Sequence, residues 1–402
     1  MKLIDACEII VDCPHSTAKD EGCGIPLVRT PNIGKGRLDL NGVHRVSETV
    51  YNQRNERAVP QFEDLILARE APVGNVAMIT KGQKVCLGQR VVLIRPNKAI
   101  ASPAYLTYYL LSDKVQHRLK NNANGAVVAH LNMNEIRNLE ITLPPLDEQN
   151  RIASILTSID DKIDLNNRIN HNLEEQAQAL YKSWFVDFEP FKGDKFVDSE
   201  LGMIPEGWYV APLDSLCSII SRGFSPKYDE ESNDFVLGQR CVRNNLIDIS
   251  IARRHIPKNL GERELKKWDI LINSTGFGSL GRVAQIYFTP NRLTFDSHLT
   301  LVRSKEEFSK QYIGRNLLSR QDEIENLAVG STGQTELPRE RVKALPIIVP
   351  THDIMSSFGE KIKVLNELIQ RNIEANVILQ KERDELLPRL MSGNCQLANN
   401  AI

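Results

Sequence analysis

Four groups of residues in this 402-residue chain are of types that could do chemistry. Cys7, Cys13, His15 and Cys23 crowd the amino-terminal stretch, and cysteine with histidine is the donor set of a structural zinc site. Their spacing fits no usual ligand pattern, and seven irregularly spaced cysteines do not form a disulfide framework. Incidental thiols in a reducing compartment, with no metal, are the expectation. Gly276-Phe-Gly-Ser-Leu-Gly-Arg-Val283 has the spacing of a phosphate-binding loop, but Arg282 stands where the lysine belongs and Val283 where a Mg²⁺-binding hydroxyl belongs. A glycine turn between strands is the plainer reading. Glu264-Leu-Lys266, with Asp248 upstream, resembles the acid and lysine set of a Mg²⁺-dependent nuclease, although the repeat counterpart near Pro60 lacks these charges. His15, His130, His255 and His298 have no Ser, Cys or Asp companion at catalytic spacing. A glycine-rich cofactor loop after a strand is absent, and Pro144-Pro145 lies between leucines rather than in an Asn/Asp-Pro-Pro-aromatic motif. The expectation is a non-catalytic chain that binds no cofactor itself.

The elements that would position these residues are those of a soluble protein: 41% apolar and 25% charged residues, with 50 basic and 51 acidic side chains. Apolar runs such as Val91–Ile94 and Leu345–Val349 fall far short of the ~20 residues that cross a bilayer. Asp5 and Glu8 interrupt the amino-terminal stretch, which has no small-residue cleavage site, so no secretory signal and a cytoplasmic location are expected. Net charge differs by segment: +4 over 1–145, −5 over 146–190, +1 over 191–350 and −1 over 351–402.

A tandem repeat organises the chain at an offset of about 205 to 210 residues. Leu3, Cys7, Ile9 and Ile10 recur as Leu213, Cys217, Ile219 and Ile220. Asp64-Leu-Ile-Leu67 recurs as Asp269-Ile-Leu-Ile272, Gly74-x-Val-Ala-x-Ile79 as Gly281-x-Val-Ala-x-Ile286, and Gly125 as Gly330. Short β-branched runs predict strands over Leu65–Ala68, Val76–Thr80 and Val91–Arg95, with counterparts over Ile270–Asn273, Val283–Tyr287 and Leu299–Arg303. Helices are expected over Pro103–Leu119 and Lys310–Ala328, which makes each module α+β.

The end of each module changes period, its apolar residues stepping by four and three. One seam runs Ile152, Leu156, Ile159, Ile163, Asn166, Asn170, Leu173, Ala177, Leu180, Trp184. The other, displaced by 206, runs Phe358, Ile362, Leu365, Ile369, Asn372, Asn376, Leu379, Arg383, Leu386, Leu390. Two long helices are expected, the first ending near Phe185–Pro190 and the second interrupted at Pro388. Matching seams predict an antiparallel coiled coil in which Asn166 faces Asn376 and Asn170 faces Asn372, since a paired amide layer fixes register. An ordinary amphipathic helix packing on its own domain is the simpler alternative. Ile155, Leu165, Ile169, Phe185, Val364, Ile373 and Ile378 lie off the seam and form a second apolar stripe, suited to the helices of a partner protein. The resulting architecture is two globular α+β modules in pseudo-twofold tandem repeat, separated by two long antiparallel coiled-coil helices: 1–145 and 191–350 are the modules, 146–190 and 351–402 the helical spacers.

Two unlike heads on a helical spacer suit a linear target read at two points. Double-stranded DNA, with ~34 Å per turn, fits that geometry. The candidate readers lie beside turns and strand ends: Arg29, Arg69, Gln89 and Arg90 in module one; Gln239, Arg240, Arg243, Arg253, Arg254, Ser274 and His298 in module two. Arginine reads guanine and glutamine reads adenine bidentately, whereas other cations hold phosphates. For each of these residues, solvated surface is the alternative role. A Mg²⁺-dependent endonuclease using Asp248, Glu264 and Lys266, and a non-catalytic coiled-coil scaffold, are the competing functions.

Leu143-Pro-Pro-Leu-Asp-Glu-Gln-Asn-Arg-Ile152, Ala177-Gln-Ala-Leu-Tyr-Lys-Ser-Trp-Phe-Val-Asp-Phe188, Leu201-Gly-x-Ile-Pro-Glu-Gly-Trp208, Ala71-Pro-Val-Gly74 and Leu386-Leu-Pro-Arg-Leu-Met-Ser-Gly393 resemble the specificity subunit of Type I restriction–modification systems. The resemblance implies two target recognition domains reading an asymmetric bipartite DNA sequence, a target recognition function in host defence and DNA methylation. It also implies assembly with two methyltransferase subunits, which bind S-adenosylmethionine, and with restriction subunits that use ATP and Mg²⁺. Asp353-Ile-Met departs from the pattern set by Asp147-Glu-Gln, so unequal docking at the two helix starts is expected.

Overall fold

The computed structural model describes residues 1–70, 72–121, 130–276, 278–330 and 335–392. Ala71, Gly125, Phe277 and Gly393, which carried parts of the repeat and motif readings, lie outside the described residues. The chain divides into two compact units, one of residues 1–166 with the chain from Ala375, the other of Asn167–Glu374. Each unit therefore takes one half of each long helix.

In unit one a four-stranded antiparallel sheet has the order Cys7–Asp12, Val91–Pro96, Leu65–Ala68, Val76–Met78. Unit two repeats it with Cys217–Arg222, Leu299–Ser304, Ile270–Asn273, Val283–Gln285. The repetition extends to irregularities, because the edge strand slips register between Cys7 and Ile9 and again between Cys217 and Ile219.

Both central sheets are buried on both faces, which is why their strands read as continuous apolar runs rather than alternations. Leu65, Leu67, Val92 and Ile94 face a core with Tyr105, Leu106 and Tyr109, while Ile66, Ala68, Val91 and Leu93 face Val28, Ile33 and Leu87. In unit two Ile270, Ile272 and Val302 share a core with Tyr312 and Leu317, and Leu271, Leu299 and Leu301 share one with Leu237 and Phe295. Each sheet is thus a middle layer between helices and a small three-stranded sheet: Ile25–Val28 with Arg45–Val46 and Cys86–Leu87, or Phe235–Leu237 with Arg253–Arg254 and Leu293–Phe295.

The expected single helices are each two. Pro103–Leu111 is followed by Asp113–Asn121, and Lys310–Ser319 by Gln321–Asn326. Ser112 is extended at the first junction and its hydroxyl donates to the Tyr109 carbonyl, the local hydrogen bonding by which serine competes with a continuing helix.

The long helices span Leu146–Phe185 and His352–Met391, 40 residues each. The second does not stop at Pro388. Proline in a helix interior costs ~3 kcal/mol. Leu390 is buried and Leu386, Leu387 and Met391 pack on the same core, and full burial of such side chains is worth roughly 1.5–3 kcal/mol each. Within each unit the helix halves run antiparallel. In unit one Leu390 shares a core with Ile152 and Leu156, and Asn166 Nδ2 donates to Asn376 Oδ1 at 2.7 Å. In unit two Phe358 packs against Phe185 with ring centroids 4.8 Å apart, and Asn372 Nδ2 donates to Asn170 Oδ1 at 2.8 Å.

Candidate nucleic-acid interface

In unit two the strand Ile270–Asn273 runs out into Ser274 and Thr275, beside the tight turn that begins at Gln239. Thr275 Oγ1 lies 2.7 Å from His298 Nδ1 and 3.4 Å from Gln239 Oε1, bridging two nominated readers. Gly276 makes this possible: at φ 103°, a Cβ there would lie 2.3 Å from Gln239 Oε1. His298 is exposed and its backbone N–H donates to Asp296, whose carboxyl is pushed up by burial. Arg240 and Arg243 are exposed neighbours, Arg243 Nε donating to the Arg240 carbonyl at 3.0 Å. The Arg253 guanidinium stacks 3.3 Å from the Tyr228 ring centroid, a cation on an aromatic face of the kind that stacks on bases. Arg254 donates to the Ser232 carbonyl at 2.5 Å and lies over Phe235. Ser274, a nominated reader, is not presented at the surface. It is wholly buried, its hydroxyl 2.6 Å from Thr300 Oγ1, and its backbone ties His298 to Leu337.

Unit one builds the same place from other side chains. Arg69 occupies the position of Ser274, with the same backbone ties: its N–H donates to the Arg90 carbonyl and its carbonyl accepts from Leu131. Arg69, a nominated reader, is not presented at the surface. It is 5% exposed, and its guanidinium donates to the Leu131 carbonyl at 2.8 Å and to Asp12 at 2.5 Å and meets His130 Nε2 at 2.8 Å. Local sequence shows an arginine at a strand end; only the fold brings Asp12 beside it. Glu70 joins His130 Nδ1 at 3.2 Å to Arg90 Nε at 2.9 Å, completing a hydrogen-bonded chain of polar side chains. Arg90 remains exposed at φ 66°, the counterpart of His298. Gln89 donates to the His15 carbonyl at 2.8 Å. Arg29 is half-buried against Gly88, where a Cβ would lie 2.8 Å from its Cγ.

Equivalent positions therefore carry opposite chemistry. Asp12 in the first strand of unit one corresponds to Arg222, which donates to Glu336 at 2.8 Å, and Glu336 stands where unit one has His130. Glu70 is replaced by Thr275. Sequence reasoning missed Thr275, although a hydroxyl two residues beyond a strand and one before a glycine was a usable signal.

On the long helices Leu165, Ile169, Val364 and Ile378 are exposed, and Ile155 and Ile373 half-buried. Phe185 does not belong to that stripe. It is 4% exposed at the centre of an aromatic cluster with Trp208, Tyr312 and Phe358, because the helix face that it occupies is covered by its own unit. Asp248, of the nuclease alternative, caps the turn Ile249–Ile251 through Ser250, while the Lys266 N–H donates to Asp269. Gly281 of the phosphate-loop alternative turns between paired antiparallel strands at φ 81°, where a Cβ would lie 2.8 Å from the Glu325 backbone; Gly74 makes the same turn in unit one at φ 88°. Among the described residues no group of three or more His, Cys, Asp or Glu side chains is placed to hold a metal ion, and no helix is long and apolar enough to cross a membrane.

Comparison with known proteins agrees with this architecture. The family model described as the Type I restriction modification DNA specificity domain matches twice, at 1–175 and 205–375. The Type I restriction enzyme MjaIX specificity subunit of Methanocaldococcus jannaschii is 28% identical over 365 residues, covering 89% of this chain and 83% of its own. The HindI specificity subunit of Haemophilus influenzae is 23% identical, covering 76% of this chain and 80% of its own. Among solved structures, the Type I restriction–modification S subunit from M. genitalium shares the fold with a TM-score of 0.56, at 15% identity over 97% of this chain and 95% of its own. A duplicated module, a pair of long helices and two matches to one family model lead to one conclusion: the chain belongs to the Type I restriction–modification DNA specificity family, whose members are the non-catalytic specificity subunits of those systems.

Proposed function

We propose that each unit reads one half of an asymmetric bipartite sequence in double-stranded DNA, and that the helical spacers fix the untouched stretch between the halves. The observation that carries this reading is one backbone framework built twice with different polar side chains at equivalent positions, notably Arg90 against His298 and Glu70 against Thr275. A repeated scaffold presents the same backbone to DNA; unlike side chains then select unlike base pairs. Gln239, Arg240, Arg243, Arg253 and His298 are the reading and phosphate-holding groups of unit two, and Arg90, Gln89 and Arg29 those of unit one.

The exposed apolar residues of the long helices, Leu165 and Ile378 in unit one and Ile169 and Val364 in unit two, dock two methyltransferase subunits, and restriction subunits join that assembly. S-adenosylmethionine, ATP and Mg²⁺ belong to those partners, and the complex works in the cytoplasm on host DNA. With net charges of only +4 and +1 on its heads, the isolated subunit binds DNA weakly and with strong salt dependence.

Single-molecule sequencing of adenine methylation in host DNA, with and without the gene, tests the reading. Loss of one bipartite motif on deletion is the expected result and names both halves. An unchanged methylome together with partner-free, Mg²⁺-dependent cleavage would replace it with the nuclease reading.

A further inference from the structure

In each unit a short hairpin follows the turn that carries the reading groups, and in each an acidic side chain of the first long helix ties that hairpin down. In unit two Val242–Arg243 pairs with Leu246–Ile247 around Asn244 and Asn245, both at positive φ. Asn245 Nδ2 donates to Glu174 Oε1 at 2.9 Å, and Asn245 Oδ1 accepts from Gln321 at 2.7 Å. Glu174 is itself held by Arg315, wholly buried, through two bonds of 2.6 and 3.0 Å. These bonds and the Arg315 charge bring the Glu174 carboxyl below its ordinary pKa although burial alone would raise it.

In unit one the matching bridge joins Ile33 to Leu38. Here Arg37 donates to Asp161 at 2.6 Å and to Asp164 at 3.1 Å, and a Cβ on Gly36 would lie 3.1 Å from Asp160 Oδ2. The same junction is made with different charge: the hairpin donates to the helix carboxylate from a neutral amide in one unit and from a cation in the other.

We propose that Asn245 and Arg37 are positioning residues for recognition, each fixing its hairpin on the helix and thereby aiming the adjoining reading segment, Gln239–Arg243 in unit two and Arg29–Lys35 in unit one. The hairpin of unit two begins at the residue that ends the Gln239–Cys241 turn, so a tilt of the hairpin moves Gln239, Arg240 and Arg243 together. A misplacement of about 1 Å is enough to lose a bidentate contact. This inference rests on the bipartite reading above.

The test replaces the chromosomal gene with Asn245→Gly or with Arg37→Gln and maps methylation at target sites and at sites with one changed base pair. Glycine keeps the positive φ of Asn245 and leaves the Arg315–Glu174 pair intact, so unit two stays folded. The expected result is that each variant raises methylation of mismatched sites about tenfold relative to the target, Asn245→Gly in one half of the sequence and Arg37→Gln in the other. A purely structural role would instead lower methylation at all sites alike. That outcome, unchanged fidelity, or relaxation of the same half by both variants overturns the proposal. A wild-type gene that yields no bipartite motif fails the functional reading itself, which separates the two failures.

Discussion

Two surfaces grown on one framework differ most in how they treat charge. Unit one seals its strand ends with a hydrogen-bonded chain that runs from Asp12 through Arg69, His130 and Glu70 to Arg90, with ion pairs at its two ends. Unit two has Ser274, Thr275 and His298 there beside the ion pair of Arg222 with Glu336, and places another, Arg315 with Glu174, between a module helix and a long helix. In unit one the corresponding depth holds Tyr108 donating to Asp160 at 2.6 Å, with Arg383 on the other carboxylate oxygen at 2.8 Å. The difference teaches that the hydrogen-bonding demand of each position is fixed by the backbone, while the charge that meets it is free to vary. That freedom is what a recognition surface needs to diversify without refolding.

The largest expected effects are in the interior. Glu174→Gln strands a guanidinium with no exposed surface and destabilises unit two by ~3–5 kcal/mol. All three tryptophans, Trp184, Trp208 and Trp268, lie in unit two. Denaturation followed by their fluorescence therefore reports unit two alone, and the midpoint falls; Asp160→Asn leaves that midpoint unchanged and shifts only the circular dichroism transition. Equal shifts of the fluorescence midpoint by both variants would erase the comparison. Phe185→Ala, which empties the centre of the aromatic cluster, costs unit two ~3–5 kcal/mol by the same readout.

Acid separates the units in sign. The folded pKa of Glu174 lies below its unfolded value, so its contribution is present above the unfolded value and is lost as pH falls through the folded one. Burial outweighs Arg37 at Asp164 and raises its pKa, so its contribution is present below the unfolded value and disappears as pH rises through the folded one. Lowering the pH into the carboxylate range thus costs unit two stability at Glu174 while relieving unit one of the burial cost of the Asp164 charge. Comparing fluorescence and dichroism midpoints across that range checks the opposite slopes.

Paired replacement Asn166→Leu with Asn376→Leu is expected to change stability little and to loosen helix register, visible as altered association in light scattering. Retention of a single monodisperse state with the same helix pairing would mean that the Asn170–Asn372 layer suffices. Smallest of all, Arg253→Ala removes a surface stack worth ~0.5–1 kcal/mol and leaves the fluorescence midpoint within error, while weakening DNA binding in salt titrations.

Periodicity carried much of this molecule. The duplication, the buried strands, the two long helices and the facing asparagines are all legible because burial on two faces and heptad packing leave patterns that survive in one dimension. Ser112 and Arg320 broke the expected helices because a local hydrogen bond or turn outcompeted a pattern that itself ran on. Pro388 stayed helical because its neighbours found a core.

The sequence by itself determined the framework and its use as a family trait. Only the tertiary structure decided which charged side chains stay exposed and which hold the fold. Arg69 and Arg240 look alike in sequence, but Asp12, His130 and the Leu131 carbonyl converge on Arg69 from distant positions and take up its donors, while Arg240 remains on the surface. Electrostatic and hydrogen-bond satisfaction depends on partners brought together by chain folding, and no local spacing encodes them.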